Sequence, residues 1–387
     1  MCSGGTNVQF ELTDTQKDIQ KAAKEFAEKE FDSDLALELD KEGKFPKSLF
    51  EKACRLGFVG IDYPEECGGQ SLGLFENVLM TEEFCRKDSG IGISIGLADM
   101  ASGIILRHGN EKQKQSYLVP VTQGKAINTV AVMDPFDGGN PVPAKAEATP
   151  SEYVVTGKKT FVVNGPIANI MVVFCEGYPA PDPKSVRSVA LIIDKNQEGV
   201  KVLDRRRMMG LWMTSVNEVS FDRVRVPKGH VVGEPDKGAE YVNAFLVEQR
   251  IKTAAQALGI AQGAFNQAVK HSREREQFGR KIAQFQGIQF MLAELYTQIE
   301  AARSLVYRAA YSYDAKSSDL EKMSSIAKLF AADVAVRTAL DSIQIHGGVG
   351  LMREYSIERM FRDAKTIQNL VETNLVERAL IGRSVIS

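Results

Sequence analysis

Two carboxylates raise the first chemical question. Glu372 lies in RDAKTIQNLVETN, residues 362–374, near the end of a chain that otherwise reads as helix. A carboxylate there has the chemistry of a general base, and equally that of an exposed loop charge. Asp99 interrupts IGISIGLADMASGIIL, residues 91–106, the most apolar run in the chain. A buried Asp is costly unless it is paired or functional. The run is too short to cross a bilayer comfortably and reads as one buried helix.

Two more segments carry ligand-binding residue types. In REREQFGRKIAQFQ, residues 273–286, a helix ends in arginines; Arg275 and Gln277 suit a phosphate-bearing ligand, the guanidinium through paired bonds, and they suit a solvated helix end as well. In IQIHGGVG, residues 343–350, Gly347 and Gly348 permit positive φ and close approach of a ligand to the backbone. An ordinary glycine helix stop has the same signature. His346 reads as a packing or capping residue, and Trp212 as core or interface.

Three blocks must position these residues. Residues 1–125 read as an all-helical domain: LTDTQKDIQKAAKEFAEKEF has apolar residues at helical spacing, Thr13 and Gln16 suit a capping box, and Pro46 opens a second helix. Residues 126–236 change to short β-type runs broken by Gly, Pro and Asp, a sheet domain. Residues 237–387 return to the helical period over lengths that suit a bundle of four or five helices.

Composition narrows the function. With 387 residues the chain can form two or three domains around sizeable cores. Its 48 basic and 50 acidic residues leave a net charge of -2, with no broad basic surface for nucleic acid or anionic membrane. Five scattered cysteines, with no CxxC and no Cys/His cluster, indicate neither a disulfide framework nor a metal site and fit a reducing cytoplasm. The opening MCSGGTNVQ has neither a secretory nor a transit-peptide pattern.

The three C-terminal segments REREQFG, IQIHGGVG and FRDAK, in this order on a helix, sheet, helix layout, resemble the acyl-CoA dehydrogenase family, whose C-terminal half reads R-x-QFG, QI-x-GG-x-G, RDA. MMGLWMTSVNEVSFDRVRVPKGHVVGE (208–234) resembles its middle and RIKTAAQALGIAQGAF (250–265) the helix that follows. The resemblance implies an α+β fold: an N-terminal helical domain, a central β-domain and a C-terminal four-helix bundle. It further implies FAD, an acyl-CoA thioester substrate, an electron-transferring flavoprotein as acceptor and a homotetramer built as a dimer of dimers. Arg275, Gln277, Gln344, Gly347 and Gly348 correspond to residues at the ADP half of a neighbouring subunit's FAD, and Phe278 and Gln286 are further cofactor positions. The subunit's own flavin half falls on Met133, Asp134, Gly138, Gly139, Phe161, Val162, Val163, Thr373 and Asn374. Gln249, Arg250 and Val371 fall at the substrate.

Several of these positions depart from the family. Its catalytic YEGT loop is Leu370-Val371-Glu372-Thr373 here, so Val371 occupies the place of the base. The alternative base position, ahead of a conserved Arg, is Gln249. Neither residue can accept a proton at neutral pH. The expected bases are therefore Glu372, one residue away, or Asp99, whose helix resembles the one lining the family's acyl-tail cavity. MDPFDGGN (133–140) replaces T-E-P-x-A-G-S-D and FVV replaces W-I-T/S, which leaves an aromatic face at Phe161 and backbone N–H groups. The expectation is an FAD-dependent oxidoreductase forming or reducing a C=C bond in an unusual, alicyclic or branched, acyl-CoA. The alternatives are a non-redox, desulfinase-like elimination or the non-catalytic subunit of a heteromeric dehydrogenase.

Overall fold

The computed structural model describes residues 11–178 and 187–386; Cys2 and most of the opening segment lie outside them. The N-terminal part carries α1 (Asp14–Glu30), α2 (Ser33–Glu42), α3 (Lys47–Arg55), α4 (Leu74–Lys87), α5 (Ser89–Gly96), α6 (Ser102–His108), α7 (Glu111–Tyr117) and α8 (Val119–Thr122). Thr13 and Gln16 form the expected capping box, each side chain bonded to the other's backbone N–H at 3.2 and 3.0 Å. The helix after Pro46 is the third, not the second. Asp32 caps an intervening helix by accepting from Asp34 and Leu35 N–H, and Gly43 ends it at φ 64°.

The apolar run at 91–106 is not one helix. It breaks between α5 and α6, where Asn128 N–H donates to Ala98 O at 3.0 Å, Asn128 Oδ1 accepts from Ala101 N at 2.8 Å and Asn128 Nδ2 donates to Ser102 Oγ at 2.7 Å. A side chain from the sheet domain thus satisfies the backbone groups that the break frees. The break sets Asp99 at the junction.

The middle of the chain forms β1 (Asn128–Ala131), β2 (Phe136–Asp137), β3 (Asn140–Pro141), β4 (Lys145–Ala148), β5 (Glu152–Val163), β6 (Ile170–Tyr178), β7 (Arg187–Asp194), β8 (Val200–Arg205) and β9 (Val216–Pro227). One sheet runs β1-β6-β4-β5-β9-β8, with β7 antiparallel to β6. β6 explains why part of this domain reads as continuously apolar. Its Ile170, Val172 and Phe174 join the core shared with the helices, while Met171, Val173 and Cys175 join the sheet's second core.

The C-terminal part is α9 (Gly238–Glu274), the hairpin β10 (Glu276–Gln277) and β11 (Arg280–Lys281), α10 (Gln286–Asp314), α11 (Leu320–His346), α12 (Ile357–Ile367) and α13 (Asn374–Ile386). α9 packs against α4, α10 and α11 and runs through the shared core. Among the described residues no helix is long and apolar enough to cross a membrane.

Candidate active site

The RDA motif holds the blocks together. Buried Asp363 of α12 accepts from Leu211 N–H of the sheet domain at 2.7 Å and from Ser89 Oγ of α5 at 2.7 Å. Its neighbour Arg362 reaches Asp40 of α2 at 2.8 Å and stacks 4.1 Å from the Trp212 ring. Burial pushes Asp363 up to about 6, although both hydrogen bonds favour its charged form. Trp212 donates to Met208 O at 2.9 Å, in keeping with a packing role.

The loop beyond α12 folds back onto α9. Arg250 Nε donates to Glu372 Oε2 at 2.9 Å, its NH2 reaches the same oxygen, and its Nε lies 3.2 Å from Glu377 of α13. Arg250 and Glu377 are buried. Beneath them Lys328 Nζ of α11 donates to Gln368 O (2.9 Å), Glu372 O (2.6 Å) and Asn374 Oδ1 (2.8 Å). Burial pulls Lys328 down to about 8 against the pull of Glu377 and Glu372. Asn374 is buried, and its amide also donates to Asp333 at 2.7 Å. The side-chain polar atoms of Asn374 are thus engaged in supporting the loop. Val371 stands at φ 66°, a conformation that is strained for a β-branched residue. Glu372 is thus an ion-pair partner that ties the loop to α9.

Asp99 lies elsewhere. Tyr63 Oη donates to its Oδ2 at 2.5 Å, and among the described residues no hydrogen bond reaches Oδ1. Burial, with Asp99 and Asp62 nearby, holds the Tyr63 phenol well above its usual range, so it remains a donor. Among the described residues Asp99 is the one carboxylate lining a cavity of about 20 Å³, walled by Phe58–Gly60, α4, α5 and α9, to which Asn77, Thr81, Lys252 and Gln256 contribute polar groups. Burial opposes the charge on Lys252, but Glu248, Asp99 and Asp62 outweigh it and hold the lysine protonated. Glu248 pairs with Lys252 at 2.8 Å and Arg107 at 2.5 Å; these cations overcome burial and bring it down to about 2.

Gln249, Lys252 and Gln256 follow at i, i+3 and i+7, on one face of α9. Arg250 and Lys252, two residues apart, point about 200° from each other around the helix. The structure therefore puts the two carboxylates on different sides of α9, with Gln249 on the cavity's face. Sequence reasoning missed Tyr63, Lys252, Gln256 and Lys328. Glu248, Lys252 and Gln256 at i, i+4 and i+8 form a buried polar stripe along α9, which was the available signal.

The sheet domain presents Phe161 at a register break in the β5–β9 ladder, at φ 54° and 57% exposed. Such a bulge turns a side chain out of the sheet. Val162 and Val163 are buried in the β5–β9 ladder, and the Val163 carbonyl accepts from Thr129 Oγ1 at 2.6 Å. Asp134 is engaged inward, 2.6 Å from Lys159 Nζ and accepting Ala144 N–H at 3.1 Å; Met133 is exposed and its carbonyl accepts from Thr160 N. Gly138 (φ 55°) and Gly139 (φ 86°) turn the β2–β3 hairpin.

At the bundle ends, Arg275, Gln277, Phe278, Gln286, Gln344, Gly347, Gly348 and Thr373 are exposed, and Phe278 sits at the tip of the β10–β11 turn. Arg275 has no ion pair among the described residues. A side chain added at Gly347 or Gly348 would meet nothing within 4 Å. His346 is buried, bonded to Ser342 O and stacked on His271. A bare aromatic face, open glycine backbone and an unpaired guanidinium form a donor set that fits a flavin dinucleotide. Four described cysteines are free and buried, and no metal-binding cluster is present among the described residues.

Helices, sheet and helices in this order, with the loop beyond α12 folded against the long α9, are the build of flavoenzymes that work on CH–CH bonds next to a thioester. The chain belongs to the acyl-CoA dehydrogenase family: it matches that family's N-terminal domain over residues 13–125, its middle domain over 136–224 and its C-terminal domain over 236–386. Members of the family bind FAD. The chain is 36% identical to an acyl-CoA dehydrogenase of Bacillus subtilis, covering 96% of this chain and 98% of that one. It is 32% identical to the caffeyl-CoA reductase-Etf complex subunit CarC of Acetobacterium woodii, over 96% and 98%. The structure of butyryl-CoA dehydrogenase from Megasphaera elsdenii superimposes with a TM-score of 0.92 at 32% identity, covering 98% of this chain and all of that one.

Proposed function

We propose that the protein is an FAD-dependent oxidoreductase that forms or reduces a C=C bond in an alicyclic or branched acyl-CoA, with Asp99 as the group that exchanges the proton. The observation that carries this reading is that Asp99 is the sole carboxylate on the cavity against α9, while Val371 and Gln249 lack a basic group and Glu372 is engaged by Arg250. Tyr63 occupies Oδ2 and orients the carboxylate; Oδ1 is left to take a proton from the acyl group in oxidation, or to deliver one in reduction. Bound FAD supplies the hydride acceptor or donor. Phe161 would stack on its ring system, and Arg275, Gln277, Gly347 and Gly348 would hold the nucleotide end, in the family's manner across a subunit boundary. A base set this far from the loop favours proton loss from a carbon beyond the usual one, as a ring permits. A cytoplasmic homotetramer passing electrons to an electron-transferring flavoprotein completes the reading, supported by the relative in an Etf complex.

The test is the visible spectrum of the purified protein before and after anaerobic addition of straight-chain and alicyclic acyl-CoAs. Bleaching of bound flavin by an alicyclic thioester supports the reading. Flavin that no thioester bleaches, and that no enoyl thioester reoxidises after reduction, refutes it.

A further inference from the structure

The cavity that Asp99 lines contains a group which the proposed proton transfer does not use. Gln256 is 1% exposed, and among the described residues its Oε1 has no hydrogen-bond partner. The amide packs closely on Gly96 of α5, where an added Cβ would lie 3.1 Å from Gln256 Nε2. A buried amide oxygen without a donor is costly, and in a cavity it marks a place where something else donates. Lys252 lies on the same wall, protonated and paired with Glu248.

We infer that this cavity receives a neutral hydroxyl group carried by the acyl chain, donating to Gln256 and accepting from Lys252. This deepens the proposed function and rests on the chain being an acyl thioester oxidoreductase. Charge and size select among polar groups. An ammonium would meet Lys252, a carboxylate would meet Asp99 and the orphan oxygen, and a hydrocarbon would leave that oxygen unpaired. A hydroxyl is at once donor and acceptor, so it satisfies the amide whichever way the amide is turned. A volume of about 20 Å³ holds one such group and little more. The competing occupant is a single water.

The experiment is calorimetric binding of cyclohexanecarbonyl-CoA and its 3-hydroxy, 4-hydroxy and 4-amino derivatives to the flavin-loaded protein, repeated with Gln256→Leu. One hydroxy derivative is expected to bind at least about tenfold more tightly than the parent, with the amino derivative weaker than both; Gln256→Leu is expected to abolish or reverse the preference. Equal affinity for parent and hydroxy derivatives in the wild type means that the cavity holds only water and overturns the inference. Tightest binding of the amino derivative overturns it too. The two proposals fail differently: a hydroxyl preference in binding without any flavin bleaching sinks the redox reading and keeps the subsite, whereas bleaching without a preference does the reverse. Absence of binding by every thioester sinks both.

Discussion

Tyr63 and Asp99 form a buried pair in which the phenol donates to one carboxylate oxygen at 2.5 Å and leaves the other free. Fixing one oxygen aims the second into the cavity. Tyr63→Phe removes that constraint without emptying the site. It is expected to lower kcat by about tenfold, the scale of a misaligned acid-base group, with KM changed by less than about threefold; steady-state kinetics with the best substrate checks it. An unaltered kcat would mean that the phenol does not orient the carboxylate.

Val371, which the sequence resemblance sets at the family's base position, stands at φ 66°. Glutamate has less strain than a β-branched residue in that region. Val371→Glu is therefore expected to fold at least as stably as the wild type and to gain α,β-dehydrogenation of butyryl-CoA. Anaerobic flavin reduction by butyryl-CoA, at a rate at least about tenfold above wild type, is the readout.

Asp363 ties three blocks together while buried, and burial raises it to about 6, above its usual value near 3.9. The native state thus binds the proton more tightly than the unfolded state, and the contribution of Asp363 to stability is fully present below about pH 4 and is lost as pH rises toward 6. Against Asp363→Asn, which does not titrate, the wild type is expected to lose on the order of 2–3 kcal/mol between pH 4 and pH 7. Urea midpoints of both proteins at several pH values test this; parallel pH profiles would show that the carboxyl does not titrate as described.

Some of this was legible in the sequence. The capping box of Thr13 and Gln16 is a local pattern, and it formed as read. The break at Asp99 was not legible, because Asn128, from another domain, makes the bonds that stabilise it. Asp32 and Gly43 do carry ordinary start and stop signals, but the helix between them is only 10 residues long. The RDA motif was recognisable as a signature; its role as a tie depends on Ser89 and Leu211, which only tertiary structure brings to Asp363. The orphan amide of Gln256 is likewise a property of its surroundings, since a glutamine on a helix is unremarkable by type.

Phe161 offers an exposed aromatic face at the β5 bulge, on which the proposed function stacks the flavin ring. Phe161→Ala is expected to reduce retention of flavin through gel filtration to less than about half, with the fold unchanged by circular dichroism. Retention equal to that of the wild type would place the flavin ring elsewhere.

The central claim is that Asp99, not Glu372, exchanges the proton. Its most direct test is stopped-flow reduction of bound flavin by the best acyl-CoA in Asp99→Asn and Glu372→Gln. Asp99→Asn is expected to slow reduction by about 100-fold or more with substrate binding retained, and Glu372→Gln to remain within about tenfold of wild type. A fast Asp99→Asn, or a Glu372→Gln that binds substrate and does not reduce its flavin, would contradict it.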